Sequence, residues 1–216
     1  MIVLLISWPS PPEHVSTSII ACGALGLPIR HIVERRGWDV EVELMPSLLH
    51  NRPASIAPRV EALASELLAR GHKVVLAYAD CGTYGALDVV CERLGIERLG
   101  GLHCYDVFAG EAAMRELFAQ EAGTYVLTDF LVRSFRSSVL RELGLDVHPE
   151  LWDDYFANYK RVVWLAQNPT PAIEAEARVV ATMFDLPFEI HDVGTGSLEA
   201  QLEGLLENVE AEVVGT

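Results

Sequence analysis

"VSTSIIACGALG" (residues 15–26) decides the architecture, because it admits two incompatible readings. Taken alone, Ile19, Ile20, Ala21 and Cys22 match the end of a lipoprotein leader, in which a cysteine after an apolar stretch becomes a lipid anchor. Such a leader needs a basic start and an unbroken apolar run of about 7–15 residues. "MIVLLISW" (1–8) contains no Lys or Arg, and "PSPPEH" (9–14) interrupts it with three prolines. The expectation is instead a β-strand, since Val15, Thr17, Ile19 and Ile20 supply the β-branched side chains that suit a pleated surface. Cys22 then stands where the strand gives way to the helix "GALGLPIRHIVERRG" (23–37).

Working outward, the same switch between short β-rich runs and longer helical stretches recurs along the chain, which is the pattern of a parallel α/β sheet. Strands are expected at "STSIIA" (16–21), "VEVEL" (40–44), "KVVLAYA" (73–79), "TYVLT" (124–128), "RVVWLA" (161–166) and "FEIHD" (188–192), with a short one at "IERLGG" (96–101). In "SIAPRVEALASELLARG" (55–71), Val60, Leu63, Leu67 and Leu68 repeat at helical spacing and Gly71 ends the helix. "PTPAIEAEARVVATMFDL" (169–186) is a second such helix, with Thr170 as N-cap and Pro171 in the first turn. "LGLDVHPELWDDYFANYK" (143–160) is expected to be helical and to pack across one end of the sheet. The fold expected over residues 15–216 is a single-domain, three-layer α/β sandwich with a mostly parallel, Rossmann-like sheet. Residues 1–14 form an N-terminal extension or an edge strand.

A chain of 216 residues, half of them hydrophobic, is long enough to bury a full core. Its formal net charge of −15 argues against nucleic acid or an anionic membrane as partner, since both attract basic surfaces. No apolar run approaches the ~20 residues that span a bilayer. The four cysteines lack paired short spacings, which suggests a reducing cytoplasm rather than a disulfide framework. A homodimer is the base expectation for a soluble oligomer.

In an open parallel sheet the loops that follow the strands gather on one edge, and ligands bind there. Cys22 follows the first strand, "MPSLLHNRP" (45–53) brings His50 and Arg52 after the next, and "ADCGTYG" (79–85) brings Cys81 and Thr83. "LHCYDVFAG" (102–110) adds His103, Cys104 and Tyr105, and "TDFLVRSF" (128–135) adds Asp129 and Arg133. Cys91 lies inside a helix among apolar positions and is expected to be a small core residue.

Three thiolates converging from three loops would bind zinc and leave a fourth position for His103, water or substrate. The same three would hold an iron–sulfur cluster with one open iron, and the spacing does not separate these possibilities. His50 and Asp129 are the candidates for moving a proton. Arg52, Thr83, Tyr105 and Arg133 are the candidates for holding a small-molecule substrate. Two alternatives stand beside the metal site. Cys22 and Cys81 would serve a metal-free racemase or isomerase, with a helix N-terminus lowering the pKa of Cys81. The remaining reading packs the cysteines in the core. No GxGxxG fingerprint or P-loop lysine is present.

"IIACGAL", "LLHNRP", "AYADCGTYG", "HCYDVFAG", "TYVLTDFLVRSF", "LGLDVHPEL" and "YFANYKRVVWLAQ" together resemble the bacterial and archaeal family catalogued as domain of unknown function 1638. The resemblance implies recurring cysteines at Cys22, Cys81 and Cys104, with His50 in the "LHNRP" motif. It departs at His103, where other branches carry Asp. Family members often stand beside genes for corrinoid-dependent methyl transfer from methylated amines. The resemblance therefore implies a metal-dependent protein of one-carbon metabolism, a methyl-transfer enzyme in its most specific form, with a corrinoid protein as partner. The alternative from another class is an accessory protein that carries metal, cluster or corrinoid without turnover.

Overall fold

The structure, a computed structural model, describes residues 16–214. The expected N-terminal extension or edge strand at 1–14 lies outside the described residues. The first half of the chain runs β1 (Thr17–Cys22), α1 (Gly26–Arg36), β2 (Val40–Met45), α2 (Ile56–Ala69), β3 (Lys73–Ala77) and α3 (Ala86–Leu94). It continues through α4 (Cys104–Ala109) and α5 (Glu111–Gln120) to β4 (Thr124–Thr128), α6 (Asp129–Phe135), α7 (Trp152–Phe156), β5 (Arg161–Ala166), α8 (Pro171–Thr182), β6 (Phe188–Asp192) and α9 (Gly196–Val214).

All strand pairs are parallel, and they fall into two three-stranded sheets, β2-β1-β3 and β4-β5-β6. In the first, β1 is central: Thr17 pairs with both Val40 and Lys73, and Cys22 ends beside Met45. The chain moves from β1 to one side, then crosses to the other, so right-handed crossovers put α1 and α2 on opposite faces. The expected short strand at 96–101 is reduced to one parallel bridge, Leu76 to Arg98. The pairing continues into the loops, because the N–H of Asp80 donates to Gly101 O (3.1 Å) and that of Cys81 to Leu102 O (2.7 Å).

The β-rich runs fill the interior. Ile19, Ile20, Val75 and Leu76 are fully enclosed in the first core, where Leu198 and Leu202 of α9 also pack. The C-terminal helix thus returns across the molecule, and Lys73 Nζ on β3 donates to Val209 O within it (2.8 Å). In the second sheet β5 shows the period of two expected of a strand covered on both faces. Val162, Trp164 and Ala166 join the α6 and α8 side, whereas Val163 and Leu165 meet Met114 and Leu117 of α5. Helices on both faces give the α/β sandwich expected from the pattern. The 143–160 segment is helical over Pro149–Phe156, a 3₁₀ turn leading into the short helix α7, and turns elsewhere. Its Trp152 and Phe156 fill an aromatic cluster with Tyr125, Tyr159 and Phe184.

Candidate functional site

The first sheet has its topological switch between β1 and β3, and their carboxyl ends carry Cys22 and Tyr78. Cys22 is the last residue of β1 and is 1% exposed. Gly23 must follow it: a Cβ there would stand 2.7 Å from Met45 O and 3.0 Å from Ser47 N. This close approach brings the 3₁₀ turn Ser47–Asn51 over the end of β1. His50 sits on that turn, with Nδ1 2.8 Å from Ser47 O and Nε2 3.7 Å from Cys22 Sγ. A carbonyl accepts only from a protonated nitrogen, so the Ser47 contact fixes the tautomer and presents Nε2 to the sulfur.

Cys81 arrives on a loop organised by Asp80. That carboxylate accepts from the N–H groups of Gly82 (3.1 Å), Tyr84 (3.0 Å) and Gly85 (2.8 Å) and from Thr83 Oγ1 (2.9 Å). Burial works to raise the Asp80 pKa, but these donors hold it below the usual carboxylate value. The loop forces Cys81 to φ 53° and Tyr84 to φ 53°, left-handed conformations that a non-glycine residue adopts at a cost of roughly 1–3 kcal/mol. Cys104 is the first residue of α4, brought alongside by the pairing of Cys81 with Leu102. Asp106 fixes this helix start by accepting from the N–H groups of Leu102 and His103, each at 2.9 Å.

The cluster is electrostatically tense. Burial pulls the His50 pKa down, but contacts with the sulfurs of Cys22 and Cys81 outweigh it and raise the value to about 11. Cys104 is partly exposed as a residue, yet desolvation of its thiol, followed by the neighbouring Cys81 and Cys22 sulfurs, pushes its pKa well above that of a free thiol. Tyr78, fully enclosed, stacks near His50 with ring centroids 6.3 Å apart. Burial and then the Cys22 and Cys81 sulfurs raise its phenol pKa, and its hydroxyl meets no acceptor in hydrogen-bonding geometry among the described residues.

The structure therefore brings together Cys22, His50, Cys81 and Cys104 and adds Tyr78, which sequence reasoning left inside the third strand. The available signal was an aromatic hydroxyl ending an otherwise aliphatic strand just before "ADCG". Among the described residues, no group of three or more His, Cys, Asp or Glu side chains stands in a geometry that could hold one metal ion. His103 points elsewhere: its side chain is 49% exposed, lies 3.8 Å from Asp106 and stacks on Tyr105 with centroids 4.7 Å apart. Thr83 is consumed by the Asp80 loop, and Arg52 is exposed. Cys91 is buried in α3 with its pKa raised by burial to about 11, an inert core thiol.

Asp129 and Arg133 lie on α6, in a cleft between the two sheets whose lining does not include the four donors. The Asp129 carboxylate accepts from Trp164 Nε1 (3.0 Å) and from the N–H groups of Gln167 (3.1 Å) and Asn168 (3.0 Å). It thereby ties the end of β4 to the end of β5.

Among the described residues, no helix is long and apolar enough to cross a membrane. Comparison with curated proteins gives no match. The family model described as "Protein of unknown function (DUF1638)" matches residues 44–202. That span holds His50, Cys81 and Cys104, while Cys22 precedes it and joins it through the β1–β2 ladder. From the end of β2 into α9, across most of its length, this chain belongs to the DUF1638 family.

Proposed function

We propose that Cys22, His50, Cys81 and Cys104 hold a zinc ion and that the site serves one-carbon transfer from methylated amines. The observation that carries this reading is the His50 geometry. Its Nδ1 is anchored on a backbone carbonyl and its Nε2 faces Cys22 Sγ at 3.7 Å. An imidazole nitrogen and a thiolate on one tetrahedral zinc stand about 3.5 Å apart, given bond lengths of about 2.0 and 2.3 Å. A histidine anchored in this way is the usual partner of a metal. The donor chemistry also fits: soft sulfur and imidazole suit zinc, and a divalent cation would offset the burial, and after it the neighbouring sulfurs, that raise the Cys104 pKa.

When bound, zinc lowers the pKa of a coordinated thiol or water. The protein's own part is to hold three sulfurs at a strand end, a tight loop and a helix start, to keep the His50 tautomer fixed, and to place the Tyr78 hydroxyl as a neutral hydrogen-bond donor beside the reacting group. The link to methylated amines rests on the family's association with corrinoid-dependent methyl transfer. A corrinoid protein would dock at the rim, where Leu48, Tyr84 and Leu102 expose apolar surface next to the donor loops.

The test is the metal and acid-labile sulfide content of anaerobically purified protein, beside Cys22→Ala, His50→Ala, Cys81→Ala and Cys104→Ala. About one zinc per chain in the wild type, lost or sharply reduced in each variant, is expected. Label from trimethylamine should then pass to a corrinoid acceptor only in the zinc-loaded protein. Iron with sulfide would assign a cluster instead.

A second reading is favoured by the contact of His50 with both Cys22 and Cys81. A histidine in contact with two cysteines would serve a metal-free proton-exchange enzyme of the racemase type. Full activity after metal removal, with Cys22 and Cys81 both essential, would establish it.

A further inference from the structure

Between α1 and α6 lies a second concavity, a cavity of ≈ 350 Å³ at the carboxyl ends of β1, β4 and β5. Its floor includes Gly23 and Ala24, and Cys22, His50, Cys81 and Cys104 are not among its lining residues. Its size is that of a small-molecule site. Its wall includes the apolar side chains of Leu27, Ile32 and Phe130, with Leu27 51% exposed. The same wall carries the exposed polar side chains of His31 from α1, Arg133 from α6 and Asn168 after β5.

The charge of this cleft runs against that of the molecule. The protein as a whole carries −15. Within the lining, Asp129 is the acidic residue, and it is 6% exposed with both oxygens accepting hydrogen bonds from Trp164, Gln167 and Asn168. Arg35 is held at the edge by Glu199 (2.5 Å). Among the described residues, the side chains of Arg133, His31 and Asn168 have neither a hydrogen-bond nor an ion-pair partner. An arginine, an imidazole and a carboxamide thus converge on one space beside an exposed leucine and a phenylalanine.

We propose that this cleft binds a small anion, a carboxylate or a phosphate, attached to an apolar body. The charged end lies on Arg133, with Asn168 and His31 supplying further hydrogen bonds, and the apolar part lies against Leu27, Ile32 and Phe130. A guanidinium is the side chain best shaped for either anion. This site stands whether or not the cysteine cluster holds zinc.

The test is calorimetric titration of the full chain with hexanoate, hexyl phosphate and hexanamide. At least one anion is expected to bind about tenfold or more tightly than the neutral amide, the worth of one charged hydrogen bond. Arg133→Gln, which removes the charge, and Ser137→Glu, which places an acid on the same wall, should each lose that margin. Arg178→Gln, on the surface of α8 and paired with Glu174, should not. A preference for hexanoate assigns a carboxylate ligand, and a preference for hexyl phosphate assigns a phosphate. Equal binding of hexanamide, no binding of any probe, or anion affinity unchanged in Arg133→Gln would overturn the proposal.

Discussion

Among the described residues the Tyr78 hydroxyl, enclosed beside the cysteine cluster, has no hydrogen-bond partner, so Tyr78→Phe separates packing from chemistry. Removing a buried, unsatisfied hydroxyl is expected to leave stability unchanged or raise it by about 1 kcal/mol in urea unfolding. The same variant should keep its zinc yet lose about 10–100-fold in turnover, the usual worth of a group placed just outside the metal. A parallel fall in zinc content would make Tyr78 a packing residue only. Cys91→Ala serves as the contrast. It should cost about 1 kcal/mol of stability and leave metal content and turnover untouched, because Cys91 sits in α3 away from the cluster. The cysteine positions were legible in the sequence through their place after strands. Tyr78 was not, because the expected strand 73–79 ends at Ala77 and releases the next residue into the site.

The "ADCGTYG" loop and the second sheet are each organised by one charged residue. Asp80→Ala would strip four donors of their acceptor and relax the left-handed backbone at Cys81. A loss of about 2–3 kcal/mol with weakened metal retention is expected by unfolding and metal titration. Arg161, with its side chain 14% exposed, donates to Thr124 Oγ1 (2.9 Å), Glu189 and Leu117 O (2.9 Å), joining β4, β5, β6 and α5. Burial works to raise the Glu189 pKa, but Arg161 and then His191 depress it. The stability that Glu189 contributes is therefore present above its unfolded pKa of about 4.3 and is lost as pH falls through the lower folded value. Arg161→Gln should flatten that acid limb in unfolding measured across the acid range. An acid limb unchanged from the wild type would show that Glu189 gains nothing from the pair. Strand positions in this sheet were readable from β-branched runs. The Arg161 hub was not, because its partners come from three distant segments.

At the scale of the molecule, the division into two sheets explains what the sequence pattern left hidden. A rule that gathers loops on one carboxyl edge places Cys22, Cys81, Cys104, Asp129 and Arg133 together. The pairing instead splits that edge, with the four donors on the first sheet and Asp129 and Arg133 in the cleft. Strand-like composition does not encode which strand pairs with which, so this separation had no local signal. His103 shows the same limit in small, since neighbours at a helix start diverge and His103 turns to Asp106 while Cys104 approaches Cys81. α9, which follows β6 of the second sheet, returns onto the first core. Leu202→Ala, at a fully enclosed position, is expected to cost about 2–5 kcal/mol while keeping a single unfolding transition by circular dichroism. Whether these four side chains hold one ion is read by zinc-edge X-ray absorption of the protein loaded with one equivalent of zinc. Three sulfurs at about 2.3 Å and one nitrogen at about 2.0 Å are expected. A shell of nitrogen and oxygen without sulfur would contradict it.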